Sequence, residues 1–215
     1  MSSFNLKKGQ RFELSKAAPG LNVVKIGLGW NPNEKINGPL FDLDVSAFAI
    51  GENFKIISDS YFVYYGQVSA GNSAMDDNGN ERPASSDGAI LGAVDQQVGG
   101  DNDDEDEEDM FINLKKININ VQQIIICATI CKYPNDANKD KRTINLNFGE
   151  VTDCYIRIIN ENTGEELTRF DLKDSYTNED AVEFGRLFRA GNSWEFEAMG
   201  RAHNGSLETL VEMYT

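Results

Sequence analysis

One histidine, His203, and three cysteines, Cys127, Cys131 and Cys154, are all that 215 residues offer to soft-metal and nucleophilic chemistry. A tetrahedral zinc centre therefore lacks ligands at a recognisable spacing. A serine or cysteine hydrolase would have to take its base from Arg201-Ala202-His203-Asn204-Gly205, which reads as a hairpin turn with an exposed imidazole. The cysteines lie inside apolar runs, which fits free thiols of a reducing compartment better than a disulfide framework.

Cationic charge is scarce as well: 20 Lys and Arg stand against 35 Asp and Glu, for a net charge of −15. Nucleic acid is thereby excluded as a direct partner, because affinity for it is built from clustered cations facing phosphates. A membrane surface would be approached only indirectly, through a bridging divalent cation. No run of ~18 apolar residues occurs, and residues 1–15 turn into strand-like alternation without a secretory pattern, so a cytoplasmic location is expected. No glycine-rich loop opens a helix to cradle phosphate. Gly27-Leu28-Gly29-Trp30 falls within and at the end of a strand, where glycine permits close packing.

What the chain has in excess is acid in one place. Residues 83–114 contain no Lys or Arg and ten acids, and eight of the nine residues from Asp101 to Asp109 are acidic. Packed carboxylates repel, so such a run needs solvent, disorder or a bound cation.

Elsewhere, period-two apolar runs punctuated by Gly, Pro, Asn and Asp predict an all-β protein, an antiparallel β-sandwich of two sheets with at most one or two short helices. Strands are expected at Arg11–Leu14, Asn22–Trp30, Phe41–Ile50, Phe54–Ile57, Tyr61–Tyr65, Ile90–Leu91 and Phe111–Asn113. Further ones are expected at Ile124–Lys132, Tyr155–Asn160, Glu166–Asp171, Val182–Phe188, Trp194–Met199 and Ser206–Tyr214, the last four forming a meander of hairpins. Ile117, Val121 and Ile124 recur at helical spacing and predict a short helix over Lys116–Gln122. The expectation is one domain, 1–215, with a long loop at about 67–109 rich in Gly, Ser, Asn and Asp.

The strongest local signal is Phe41-Asp42-Leu43-Asp44-Val45. On a strand, Asp42 and Asp44 share one face, with carboxylates roughly 7 Å apart, while the apolar residues share the other. Such a pair is half of an oxygen cage for Ca²⁺, which takes six to eight oxygens in tolerant geometry. A solvated strand face is the plainer alternative. Asp59 is a third candidate, equally readable as a turn residue, whereas Asp76, Asp77 and Asn78-Gly79-Asn80 read as a polar hairpin tip. An EF-hand aligned on Asp101, Asp103 and Glu105 fails, with Asp106 where glycine is needed and Ile112 where a bidentate Glu is needed.

These blocks together resemble the TerD family of tellurium-resistance and stress-response proteins. The similar stretches include residues 14–21, Gly27-Leu28-Gly29-Trp30, Phe41-Asp42-Leu43-Asp44-Val45-Ser46-Ala47, residues 58–65, Ser86-Asp87-Gly88 and Asn147-Phe148-Gly149. Residues 155–160, 165–172 and 184–189 extend the likeness through the C-terminal half. The resemblance implies a sandwich that binds Ca²⁺, more than one ion, through Asp42, Asp44 and a long acidic loop. In that loop Asp95 matches the family's leading Asp, and Asp101, Asp103, Glu105, Asp106, Glu107 and Glu108 are the further candidate ligands. Val94, Gln96 and Val98 depart from the family's Gly, Asn and Thr, and Leu40 stands where many relatives carry another Asp.

The expected function is a non-enzymatic, cytoplasmic, calcium-binding stress-response protein whose ion orders the loop into a surface for protein partners. An interaction module with a mobile acidic loop and no specific metal, or a metal-dependent enzyme, are the competing expectations; nothing in the sequence supplies a recognisable general base or nucleophile for the latter.

Overall fold

The computed structural model describes residues 4–31, 41–95, 106–131, 146–173 and 176–215. In chain order its elements are β1 (Phe4–Asn5), β2 (Arg11–Glu13), α1 (Leu14–Ala17), β3 (Val23–Gly29), β4 (Leu43–Ile50), β5 (Phe62–Val63), β6 (Ser73–Met75), β7 (Glu81–Pro83) and β8 (Ile90–Leu91). There follow β9 (Glu108–Asn113), β10 (Gln123–Ile130), β11 (Tyr155–Asn160), β12 (Glu165–Asp171), β13 (Ala181–Ala190), β14 (Ser193–His203) and α2 (Leu207–Tyr214). One six-stranded sheet has the order β1-β12-β11-β3-β9-β8, the other β2-β14-β13-β10-β4-β5, and β6-β7 is a separate hairpin. Pairing is antiparallel except between β1 and β12.

The core lies between the sheets. Ile26, Leu28, Met110, Ile112, Ile156 and Ile158 of the first meet Leu43, Val45, Ala47, Ile124, Ile126, Ala128, Phe184 and Phe196 of the second. β9 alternates as half-covered strands do, with Glu108, Met110 and Ile112 buried and the residues between them partly exposed. β10 and β4 do not alternate, because their outer face is covered too. Phe48, Ile50, Ile125 and Cys127 turn outward and pack beneath Leu210 and Tyr214.

That cover corrects one sequence expectation: Ser206–Tyr214 is not a strand but a capped helix. Ser206 Oγ accepts the Glu208 N–H at 3.3 Å, and Leu207, Leu210, Val211 and Tyr214 fall on one helical face over the sheet. Of the four-strand meander the hairpin β13–β14 remains, turned at Gly191 (φ +62°), while β12 lies in the other sheet and forms its hairpin with β11, turned at Gly164 (φ +70°). The connection between the two hairpins changes sheet.

The helix expected over Lys116–Gln122 is also absent, replaced by turns. Ile117 and Val121 are buried as their spacing suggests, but asparagine side chains take the backbone donors a helix would use. Asn113 Oδ1 accepts from Lys115 and Lys116 N–H, and Asn118 Oδ1 accepts from Asn120 N–H. Arg189 donates to the freed carbonyls of Ile117, Asn118 and Val121. Phe54–Ile57 forms no strand either, since Phe54 sits at φ +61° and the segment contributes only a single bridge, Ile56 to Ile50. The stretch 67–109 is partly built, carrying β6, β7, β8 and the start of β9, with Asn78-Gly79 at the hairpin tip as expected. Among the described residues no helix is long and apolar enough to cross a membrane.

Candidate metal centre

The site is assembled at the start of β4. Trp30 Nε1–H, at the end of β3, donates to the Phe41 carbonyl at 3.3 Å and ties this start to the other sheet. Because Phe41, Leu43 and Val45 belong to the core, strand alternation sends Asp42 and Asp44 to the opposite face. On one side β10 pairs in register, Thr129 opposite Asp44 and Ile130 opposite Leu43, and the Cys131 N–H donates to the Asp42 carbonyl at 2.7 Å. On the other side β5 reaches only Ala47 and Phe48. The Val45 N–H beyond it donates instead to Glu108 Oε2 at 2.7 Å.

Asp95, in the segment after β8, completes the arrangement. One carboxylate oxygen from each of Asp42, Asp44 and Asp95 lies within 4.8 Å of the others. Asp42 and Asp44 are 1 % and 5 % exposed, while Asp95 is on the surface. Burial, then the neighbouring Asp42 and Asp95 charges, push the Asp44 carboxyl up to about 8, against the partial relief of a hydrogen bond from the Cys131 thiol. Burial and the Asp44 charge likewise push the Tyr65 hydroxyl up to about 12. The three acids repel one another, two of them out of reach of bulk water, and a cation between them removes both penalties. An all-oxygen donor set with one exposed member fits a hard cation such as Ca²⁺.

The other expected ligands are elsewhere. Asp59 is exposed at the start of a 3₁₀ turn, Asp59–Tyr61, and lies outside the three-carboxylate cluster. Asp106 packs against the outer face of the first sheet over Gly27, where any side chain would overlap its carboxylate. There it pairs with Arg157 at 2.6 Å and Lys25 at 3.5 Å. Glu107 donates its backbone N–H to the Leu28 carbonyl, and Glu108 is buried against Val45. Asp101, Asp103 and Glu105 lie outside the described residues. Two neighbours of the centre escaped the sequence analysis, Cys131 and Tyr65. Cys131 was legible in principle, since it shares a strand face with Thr129, which pairs with Asp44.

His203 is not at an exposed turn: it ends β14, with Nε2 2.9 Å from Oε1 of the buried Glu183. It has no part in the carboxylate cluster.

Fold and site together define a two-sheet β-sandwich, antiparallel but for β1 and β12, with a cluster of three carboxylates at one strand end. A family model described as the TerD domain matches residues 1–214. The chain belongs to the TerD family. It is 34 % identical over 213 residues to a tellurium resistance protein TerD of Serratia marcescens, covering 99 % of this chain and 97 % of that protein. It is 32 % identical over 212 residues to general stress protein 16U of Bacillus subtilis (strain 168), with the same coverage. A crystal structure of a TerD homologue from Streptomyces coelicolor A3(2) superposes with a TM-score of 0.61 at 18 % identity, over 89 % of this chain and 96 % of that one, and so shares the fold.

Proposed function

We propose that this chain is a calcium-binding protein of the cytoplasm, acting in stress or tellurium resistance of the kind its relatives' names describe. The observation that carries the proposal is the convergence of Asp42, Asp44 and Asp95, two of them buried, within 4.8 Å. Asp42 and Asp44 are fixed by β4, whereas Asp95 arrives on an exposed segment, so an ion held by all three fastens that segment to the sandwich. The far end of the acidic stretch is anchored independently, by Asp106 on Arg157 and Lys25 and by Glu108 on Val45. Asp101, Asp103 and Glu105 fall between the two anchors and supply donors for a further ion. The output is an ordered acidic surface for a protein partner and not a chemical reaction.

The test is calorimetric titration of chelator-stripped protein with Ca²⁺, with Mg²⁺ as control and thermal melting before and after. The expected result is saturable Ca²⁺ binding with a raised melting temperature, since an ion that binds only the folded state stabilises it by about 2.7 kcal/mol at a hundredfold excess over Kd. A flat titration, or an effect that Mg²⁺ or simple salt reproduces, overturns the proposal.

A further inference from the structure

Where an edge of one sheet passes to an edge of the other, the chain encloses a cavity of about 500 Å³. β1 pairs with β12 for two residues only. Residues 6–10 then cross to the second sheet, the Leu6 N–H donating to the Arg169 carbonyl and the Gly9 N–H to the Ala198 carbonyl, both at 2.7 Å. This arm is one wall of the cavity, and the end of β12 with Tyr176 is the other. Leu6, Phe170 and Tyr176 are buried and give it an apolar floor. That floor is fixed, since Phe170 stands edge-on to Phe184 and the Tyr176 hydroxyl donates to the Gly200 carbonyl at 3.0 Å. Charge at the opening has the opposite sign to the molecule. Lys7, Lys8 and Lys173 are exposed and line the cavity, in a chain of net charge −15. The one acid among the described lining residues, Asp171, is engaged by Asn5 and Arg169, each at 2.6 Å, and by Lys173 at 3.2 Å. A cleft with low-dielectric walls and one sign of charge at its mouth focuses its field on an incoming counter-charge.

We propose that this cavity binds a small organic anion, with one negatively charged head on an apolar body, of the kind an aromatic or branched carboxylic acid provides. Its volume falls within the roughly 300–1,000 Å³ of pockets that take drug-sized ligands, which are mostly apolar with a few placed polar groups. The body of the ligand lies on Leu6, Phe170 and Tyr176, while the head stays at the opening between Lys7 and Lys173. A lysine ammonium is a point charge on a flexible stem, without the fixed fork of a guanidinium, so the site selects charge and apolar volume and imposes no head geometry. A carboxylate and a sulfonate therefore serve alike. No covalent bond forms or breaks. The cavity shares no residue with the Asp42–Asp44–Asp95 cluster and lies beside β14, separated from β4 by β13 and β10, so the anion binds whether or not that cluster holds a cation.

The test uses the full chain, with and without Ca²⁺, and two fluorescent probes of matched ring system, anilinonaphthalene sulfonate and the uncharged phenylnaphthylamine. Near-ultraviolet circular dichroism and melting establish that each sample is folded. The sulfonate should bind saturably at one site and weaken as NaCl is raised, because the pairing charges sit at the opening. The uncharged probe should bind more weakly and ignore salt. Lys7→Gln and Lys173→Gln should each weaken the sulfonate about two- to fivefold, the size of a solvent-exposed ion pair, with melting temperature and the uncharged probe unchanged, and Lys173→Arg should bind as the parent does. Leu172→Trp, which adds bulk to the wall, should weaken both probes. Benzoate should displace the sulfonate and, titrated by NMR, should shift the resonances of Leu6, Phe170 and Tyr176. Equal affinity for the two probes, or lysine-to-glutamine variants that bind as the parent does, overturns the anion assignment. Sulfonate binding that survives Leu172→Trp, with NMR shifts away from these residues, overturns the cavity as the site, and the absence of saturable binding overturns both.

Discussion

Glu108 Oε2, projecting from β9 of one sheet, accepts the backbone N–H of Val45 on β4 of the other at 2.7 Å. Val45 directly follows Asp44, and β5 ends before it can pair with this part of β4. A carboxylate from the acidic run thus substitutes for a missing strand, with Glu108 only 3 % exposed. Its burial follows from β9 itself, whose alternation turns Glu108, Met110 and Ile112 to the same interior face. At Met110 or Ile112, further along the same face, an acid would be a fault in the core; here it closes the edge beside the candidate metal centre.

Replacing Glu108 by Ala leaves the Val45 N–H buried without that acceptor, which should destabilise the protein by about 1–3 kcal/mol. Glu108→Gln keeps an acceptor oxygen and should lose less. Urea unfolding at unchanged m-value measures both, and calorimetry should find Ca²⁺ affinity reduced in Glu108→Ala because Asp44 is no longer braced.

The Asp44 carboxyl sets the direction of a pH dependence. Its ordinary value of 3.8 is pushed up to about 8 in the folded chain, by burial first and by Asp42 and Asp95 second. The folded, cation-free state therefore binds more protons than the unfolded one across this interval, so stability must fall as pH rises from about 4 to about 8 and level off above that. Melting of chelator-stripped protein should follow this slope, and Asp44→Asn should flatten it. Ca²⁺ must displace the Asp44 proton near neutrality, so its affinity should rise over the same interval and its binding enthalpy should depend on the ionisation heat of the buffer.

Asp106 behaves as an anchor by its placement. Its carboxylate is 3 % exposed and paired with Arg157 at 2.6 Å, over a glycine that leaves it room. Asp106→Ala takes away the nearer carboxylate of the partly buried Arg157, leaving it Glu166 at 3.4 Å, and should cost roughly 2 kcal/mol, below the about 3–5 kcal/mol of a fully buried pair. Gly27→Ala should destabilise comparably, by displacing the same carboxylate. In both variants the Ca²⁺ stoichiometry should be unchanged, whereas a lost ion would make Asp106 a ligand.

Much of this molecule was legible in the sequence because its strands are half-covered and alternate. The Asp42–Asp44 pair was visible because residues 41–46 alternate apolar and polar, although both faces of β4 are covered, and the glycines of Gly27-Leu28-Gly29 sit, as expected, under packed groups, Asp106 and the Tyr155 ring. Ser206–Tyr214 was misread because Leu207-Glu208-Thr209-Leu210-Val211 satisfies both periods, and only the Ser206 cap and the apolar face awaiting cover on β4 and β10 decide for a helix. Lys116–Gln122 failed in the opposite way, its apolar spacing intact but its backbone donors taken by asparagines. Within the acidic run, charge alone could not separate Asp106 from Glu108. The difference lies in which sheet face each side chain meets, and that depends on β9 starting at Glu108 and not at Phe111.

The two kinds of ligand at the centre should leave opposite marks. Asp95 is exposed and its charge is screened by water, so Asp95→Asn removes little repulsion from the cation-free protein and should leave its melting temperature within experimental error. Asp44 is buried beside Asp42, so Asp44→Asn relieves desolvation and repulsion together and should raise cation-free stability at about pH 8. Both substitutions remove a charged donor and should weaken Ca²⁺, each tenfold loss appearing as about 1.4 kcal/mol less stabilisation at saturating ion. Melting of the two variants with and without Ca²⁺ separates the contributions. If Asp44→Asn lowers cation-free stability instead, its carboxylate is held by contacts stronger than the repulsion of its neighbours, and the strain that makes the centre attract a cation is not there.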